Sequence, residues 1–223
     1  PWYSHFVIDQ EDSVVLEQVR RNDPPTAGQA GIGVLRLPHI SNFTDFEPLQ
    51  AVEDLAVAFL DKVQPLDGLR AVVLPGSKNT RADLDWLHTT GWADRIRRFN
   101  QSGGHVLGIC GGYQMMGRVV EDPEGLEGRP GDTEGLGLLP VETVLQAPKT
   151  TTLTEFQWGG RQGRAYEIHM GRTRRQGAVA LTRVLARNGE ACQDEDGCRT
   201  DDGRAMGTYL HGVFDTPAVL RHW

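Results

Sequence analysis

The sequence of 223 residues is poor in cysteine and has no long apolar run. Its three cysteines are Cys110, Cys192 and Cys198, and such an odd, sparse set is typical of a reducing compartment rather than of a disulfide framework. No stretch approaches the roughly 18 consecutive apolar residues of a membrane span, and residues 1–30 carry no charged-then-apolar signal pattern. We therefore predict a cytoplasmic protein with no membrane partner.

Positive charge is also in deficit, because 23 Lys and Arg face 30 Asp and Glu, for a formal net charge of −7 at pH 7. A protein that binds nucleic acid neutralises phosphates with clustered basic side chains, whereas here the basic residues are dispersed apart from Arg172, Arg174 and Arg175. Cys192 and Cys198 have no histidines nearby that would complete a zinc site. We predict no nucleic-acid partner and no metal.

The chain divides into a polar beginning and one larger domain. Residues 1–30 contain the turn-rich stretch Asp23-Pro24-Pro25 and are interpreted as a linker or tail. Residues 31–223 form the domain, in which short apolar runs alternate with amphipathic stretches. We predict strands at residues 31–37, 69–74 and 105–109, and helices at 79–91, 92–100 and 112–119. This alternation predicts an α/β fold whose mostly parallel central sheet is flanked by helices.

The C-terminal half is less periodic. We predict a loop over residues 122–137 and further strands at 137–144, 164–169 and 207–211. The acidic run Asp194-Glu195-Asp196 beside Gly197 predicts a hairpin turn with solvated carboxylates.

The residues Gly108-Ile-Cys110-Gly-Gly-Tyr-Gln114 place a cysteine where an apolar strand turns into a helix. A nucleophile elbow has this arrangement, because flanking glycines admit a strained turn that exposes the nucleophile at the top of the sheet. The helix start favours thiolate over thiol. Cys110 is the predicted nucleophile, and a buried structural cysteine is the alternative.

A thiol nucleophile needs a base or an ion-pair partner. His211 ends a predicted strand and is followed by Gly212, so its imidazole can project to the carboxyl edge of the sheet. His169 is the rival, because strand alternation places it on one face with Glu167. The spacing favours His211 as the partner of Cys110, and His169 remains the alternative.

An oxyanion hole needs backbone N–H groups aimed at the developing negative oxygen. Gly111 follows the nucleophile and is one candidate. The Pro75-Gly-Ser-Lys78 loop leaves the carboxyl end of a neighbouring strand and offers a second, although it also fits an ordinary turn before a helix.

The Cys110 motif resembles that of the class I, triad-type glutamine amidotransferases, which have a flavodoxin-like fold. Four further stretches, at residues 36–46, 74–80, 166–173 and 208–215, are similar to the cobyric acid synthase branch. The resemblance implies a glutaminase domain that supplies ammonia for ATP-dependent amidation of corrinoid carboxylates, such as those of cobyrinic acid a,c-diamide, in cobalamin biosynthesis. It implies that residues 1–30 follow an N-terminal synthetase domain, and that ATP and Mg²⁺ bind there while this chain needs no cofactor.

The resemblance also implies residue roles. Cys110 would be the nucleophile and His211 its partner, and His169 becomes a supporting residue. The oxyanion hole and glutamine pocket would be formed by Gly76, Ser77, Gly111 and Gln114.

One departure concerns the third member of the triad. The wider class places a Glu two residues after the catalytic His, and here that residue is Val213. A dyad is therefore implied, with Glu167 or a backbone carbonyl left to orient His211.

Three alternatives for the function stay open: a related amidoligase acting on cobyrinic acid or a cell-wall precursor, a non-catalytic interaction module, and a cysteine hydrolase of the same fold.

Overall fold

The computed structural model describes residues 30–223. The predicted linker therefore lies outside the described residues, except for Ala30, which begins the first strand. Over residues 30–223 no helix is long and apolar enough to cross a membrane.

Seventeen strands and five α-helices make up the described part of the chain. The strands of its first half are β1 (Ala30–Leu35), β2 (Ile40–Ser41), β3 (Leu55–Leu60), β4 (Leu69–Leu74), β5 (Gly76–Ser77), β6 (His105–Ile109), β7 (Val119–Asp122) and β8 (Gly131–Glu134). The remaining strands are β9 (Val141–Val144), β10 (Thr150–Trp158), β11 (Arg161–His169), β12 (Arg172–Arg175), β13 (Thr182–Arg187), β14 (Glu190–Asp196), β15 (Cys198–Arg199), β16 (Ala205–Thr208) and β17 (Leu210–His211). The helices are α1 (Glu47–Gln50), α2 (Thr80–Thr90), α3 (Trp92–Gln101), α4 (Gly111–Met115) and α5 (Pro217–Leu220), with a 3-10 helix at Phe43–Phe46.

The central sheet has the strand order β15-β16-β6-β4-β1-β3. All neighbours in it are parallel except the edge pair β15 and β16. Its strands are apolar and mostly buried, as in β4, where the last four residues are buried. This confirms the predicted α/β fold with a mostly parallel sheet.

The predicted helices α2 and α3 form as their sequence signals indicate. The Asn79 side chain accepts a hydrogen bond from the Ala82 N–H at 3.0 Å and caps α2. Gly91, at φ 88°, ends that helix in the left-handed conformation that glycine adopts without a steric penalty.

A second, antiparallel sheet has the order β14-β13-β10-β11-β17. In it β11 pairs with β17, which sets Tyr166 directly opposite His211. The carboxyl ends of β1, β4, β6 and β16 lie side by side in the central sheet. The chain continues from them to Asp45, Gly76, Cys110 and His211, so one edge of the sheet gathers these residues.

Three predictions in the less periodic regions are wrong. The helix expected at 112–119 ends at Met115, because Gly117 packs against Val141 and the chain then enters β7. The loop expected at 122–137 contains β8, paired with β7. The run at 194–196 lies in β14 and not in a turn, because its acidic groups pair with the arginines of other strands, as Asp194 does with Arg187 at 2.5 Å.

Candidate active site

Cys110 lies between β6 and α4 with φ 53° and ψ −111°, a conformation that is costly for a residue with a side chain. Two glycines make this turn possible. A Cβ at Gly112 would lie 2.0 Å from the backbone oxygen of Leu74, and one at Gly108 would lie 2.7 Å from the Gly112 backbone. The structure therefore forms the predicted strained turn between strand and helix, and the role of Cys110 as the nucleophile stays a prediction. The Cys110 thiol is 3.6 Å from the carbonyl oxygen of Ile168.

His211 is completely buried in β17. Its Nδ1 is 2.7 Å from Oδ2 of Asp45, and the other oxygen of the same carboxylate accepts the Gly212 N–H at 2.8 Å. Asp45 is itself only 2% exposed. Because an ionised carboxylate accepts hydrogen bonds and donates none, the Asp45 pair fixes the proton of His211 on Nδ1.

Asp45 is the site residue that sequence reasoning missed. The sequence left Glu167 or a backbone carbonyl to orient His211, but Glu167 instead accepts hydrogen bonds from Thr154 at 2.8 Å and from Arg187 at 3.2 Å. The available signal was an acidic residue between Phe43 and Phe46, two aromatic residues of a short buried segment. In the structure Asp45 holds His211, so a buried carboxylate accompanies the implied pair of Cys110 and His211.

The electrostatics favour a charged imidazole. Burial alone would lower the pKa of His211, but the charges of Asp45 and Cys110 raise it from 6.5 to about 10. The Nε2 atom of His211 is buried and has no hydrogen-bond partner among residues 30–223. Since Nδ1 is held by Asp45, Nε2 is the atom of the ring that remains available for proton transfer.

The predicted oxyanion loop lies against His211 and against Gly111, the residue that follows Cys110. A Cβ at Gly76 would be 3.0 Å from Cε1 of His211, and a Cβ at Gly111 would be 3.0 Å from the Ser77 nitrogen. The Ser77 hydroxyl donates to the buried carboxylate of Asp83 at 2.6 Å, which fixes this loop on α2. Gly111 is the first residue of α4, where an N–H has no partner within the helix.

Gln114 is buried one turn after Cys110. Its amide nitrogen donates to the Met170 carbonyl at 2.8 Å and to the Tyr209 hydroxyl at 3.1 Å, and its oxygen accepts from Thr80 at 3.1 Å. These bonds tie α4 to the end of β11. Its place in a glutamine pocket stays a prediction.

Glu167 and His169 lie together, as strand alternation predicts, with His169 Nε2 at 3.6 Å from a Glu167 oxygen. Burial raises the pKa of Glu167, but the polar contact with His169, the hydrogen bond from Thr154 and the charge of Arg187 outweigh it and hold that pKa below its ordinary value. His169 stacks on Tyr209 with ring centroids 3.7 Å apart. Glu167 and His169 contact each other and not the carboxylate of Asp45, and their supporting role stays a prediction.

The strained cysteine, the buried histidine with its carboxylate and the parallel sheet edge together are the arrangement of a class I glutamine amidotransferase. The fold is similar to a crystal structure of a glutamine amidotransferase, with 20% identity and a TM-score of 0.61 over 86% of this chain and 95% of that chain. The chain belongs to the CobB/CobQ-like glutamine amidotransferase domain family, whose model matches residues 31–219.

Several curated relatives match the whole chain. Cobyric acid synthase of Chlorobaculum tepidum is 46% identical over 229 residues, and that of Chlorobium phaeobacteroides is 44% identical over 227 residues. Each match covers 100% of this chain and 45% of the relative. The resemblance seen in the sequence is thereby confirmed, and the chain spans somewhat less than half the length of these relatives.

Proposed function

We propose that this domain hydrolyses glutamine through a thioester on Cys110. The observation that carries the proposal is the state of His211: its Nδ1 is held by Asp45 at 2.7 Å, and its Nε2 is buried without a hydrogen-bond partner among the described residues. A charged imidazole in this arrangement stabilises a thiolate and keeps one proton to give away.

In the first half-reaction the thiolate attacks the side-chain amide carbon of glutamine and forms a C–S bond. The amide oxygen becomes an oxyanion, for which the N–H groups of Gly111 and of the loop at Gly76 and Ser77 are the proposed donors. The C–N bond then breaks as His211 gives its proton to the leaving nitrogen. Ammonia and a γ-glutamyl thioester are the products.

In the second half-reaction water attacks the thioester while His211 accepts a water proton. The C–S bond breaks, glutamate leaves, and the thiolate and imidazolium are restored. Asp45 keeps the imidazole in the orientation that both steps need, because the proton moves to and from the same atom.

We extend the proposal to the whole protein on the strength of its relatives. They are named cobyric acid synthase, and this chain matches 45% of their length. The remaining part would be the synthetase, with ATP and Mg²⁺ activating a corrinoid carboxylate that this domain's ammonia then amidates. Which acceptor is amidated depends on that part, so assays of corrinoid and cell-wall acceptors with the full-length protein test this extension.

The interaction-module alternative depended on Val213 and the absence of an orienting acid. Asp45 supplies a buried carboxylate at hydrogen-bond distance from His211, so the reason for that alternative no longer holds.

The experiment is covalent labelling with an electrophilic glutamine analogue, such as a chloroketone, followed by peptide mass spectrometry. We expect one adduct, on Cys110, that glutamine prevents and that His211→Ala slows by at least tenfold (about 1.4 kcal/mol). His105→Ala is the matched control, because His105 is exposed at the opposite end of β6. Equal labelling of the three cysteines, or labelling that glutamine does not prevent, contradicts the proposal.

A further inference from the structure

One face of the His211 ring is covered by Tyr166, its neighbour across the β11 and β17 pair. The two rings are stacked with centroids 5.2 Å apart and planes 22° apart. The other ionisable side chains that act on this pair are Asp45 and Cys110, and Asp215 acts on Tyr166. Because the face of an aromatic ring carries partial negative charge, it stabilises a cation placed over it.

The Tyr166 ring is held in place by Asn42, whose side-chain amide donates to the Tyr166 hydroxyl at 2.6 Å. Burial and the nearby charge of Asp45 raise the pKa of Tyr166 to about 12, so the phenol stays neutral over the whole working range. Tyr166 therefore presents an uncharged ring, fixed at its far end, to the imidazole.

Asn42 and Asp45 belong to the same short segment. Asn42 precedes the 3-10 helix with φ 58°, a left-handed conformation that asparagine tolerates better than most residues. Asp45 lies three residues further on and accepts from His211. The segment from Asn42 to Asp45 thus contacts the His211 ring in two ways. Asp45 binds Nδ1 at the ring edge, and Asn42 holds Tyr166, which covers the ring face.

We infer that Asn42 and Tyr166 are positioning residues that hold the His211 imidazolium from its ring face, as Asp45 holds it at Nδ1. The inference rests on the proposed function, in which His211 is the proton donor. It assigns Asn42 to the catalytic machinery although Asn42 contacts neither catalytic side chain by hydrogen bond.

The test compares Tyr166→Leu, Tyr166→Phe and Asn42→Gly. Tyr166→Leu removes the aromatic face, Tyr166→Phe removes only the anchored hydroxyl, and Asn42→Gly removes the anchor while glycine adopts the same positive φ. Asn188→Gly is the matched control, since Asn188 has φ 49° and lies exposed in the turn between β13 and β14. The readouts are the pKa of His211, from NMR titration of its ring protons, and kcat and KM for glutamine.

In Tyr166→Leu we expect the pKa of His211 to fall by about one unit, which is a tenfold decrease in the proton affinity of the imidazole. In Tyr166→Phe and Asn42→Gly we expect kcat to fall about three- to tenfold with KM unchanged, and the double variant to be no worse than either single one. Asn188→Gly is expected to match the wild type.

An unchanged pKa of His211 in Tyr166→Leu overturns the inference, and so do effects of Asn42→Gly and Tyr166→Phe that multiply in the double variant. If Tyr166→Leu does not fold, the double-variant comparison still decides. The NMR titration requires no glutamine turnover, so it separates failure of this inference from failure of the proposed glutaminase activity.

Discussion

Replacing Asp45 by Asn tests the catalytic arrangement most directly, because it keeps the volume of the side chain and removes its charge. Both carboxylate oxygens are used, one by His211 at 2.7 Å and the other by the Gly212 N–H at 2.8 Å. An amide has one acceptor oxygen, so its NH₂ group must face either His211 Nδ1 or the Gly212 N–H. If the NH₂ group faces the Gly212 N–H, that hydrogen bond is lost. If it faces His211, the amide donates to Nδ1, which reverses the direction of that bond and places the histidine proton on Nε2.

The magnitude follows from the pKa of His211, which lies at about 10 instead of 6.5. At about 1.36 kcal/mol per unit, this difference corresponds to roughly 5 kcal/mol of preference for the charged ring. Asp45 is the first of the two charges that raise this pKa, so the pKa falls when that charge is removed. We expect kcat to fall by about 10²- to 10⁴-fold, the upper figure being the effect of the equivalent change in serine proteases, where it places the histidine proton on the wrong nitrogen.

The assay is steady-state release of ammonia from glutamine, together with NMR titration of His211. Asp85→Asn is the matched control, because Asp85 is an exposed acid on α2. We expect the pKa of His211 to fall in Asp45→Asn and to be unchanged in the control. A variant with kcat within about threefold of the wild type and a His211 pKa still near 10 would refute the reasoning.

Three further predictions concern stability and thiol reactivity. Gly112→Ala should destabilise the fold by about 2 kcal/mol or more in denaturant unfolding, because its Cβ would lie 2.0 Å from the Leu74 oxygen and the backbone must shift. The pKa of His211 is raised in the folded protein, so the charged imidazole stabilises the fold fully below pH 6.5, and this stabilisation is lost as the pH rises through about 10. The free energy of unfolding should therefore fall between these pH values, and should fall less in Asp45→Asn. Alkylation followed by mass spectrometry at neutral pH should modify Cys192 in the native protein but reach Cys198 only after unfolding, because Cys198 is completely buried and burial raises its pKa to about 11.

The central sheet and the strained turn at Cys110 were predictable because their signals are local. A buried parallel strand is a short apolar run between glycine or proline residues, as in β4 and β6, and such a run needs no knowledge of its neighbours. The elbow at Cys110 is equally local, since the glycines that relieve its close contacts are adjacent in sequence.

The boundaries of the antiparallel region were harder to predict, because its strands are specified by partners distant in sequence. Asp194 and Glu195 resemble a solvated turn by composition, yet they lie in β14 opposite Val184 and Arg183 of β13. The turn itself falls at Asn188 and Gly189, whose positive φ values suit a tight connection.

Asp45 could not be predicted from periodicity, because its bond to His211 joins residues 166 positions apart. The hydrogen bonds that Asp45 accepts do explain why residue 213 is a valine and not a glutamate. The two oxygens of Asp45 already accept from His211 and Gly212, so a glutamate at 213 would find neither of these donors free. It would instead bring a second negative charge into a buried site, which is costly without a partner. Val213 is 1% exposed and packs in the apolar core. An apolar residue at 213 therefore fits a site in which Asp45 already supplies the carboxylate, and its presence does not indicate a missing catalytic acid.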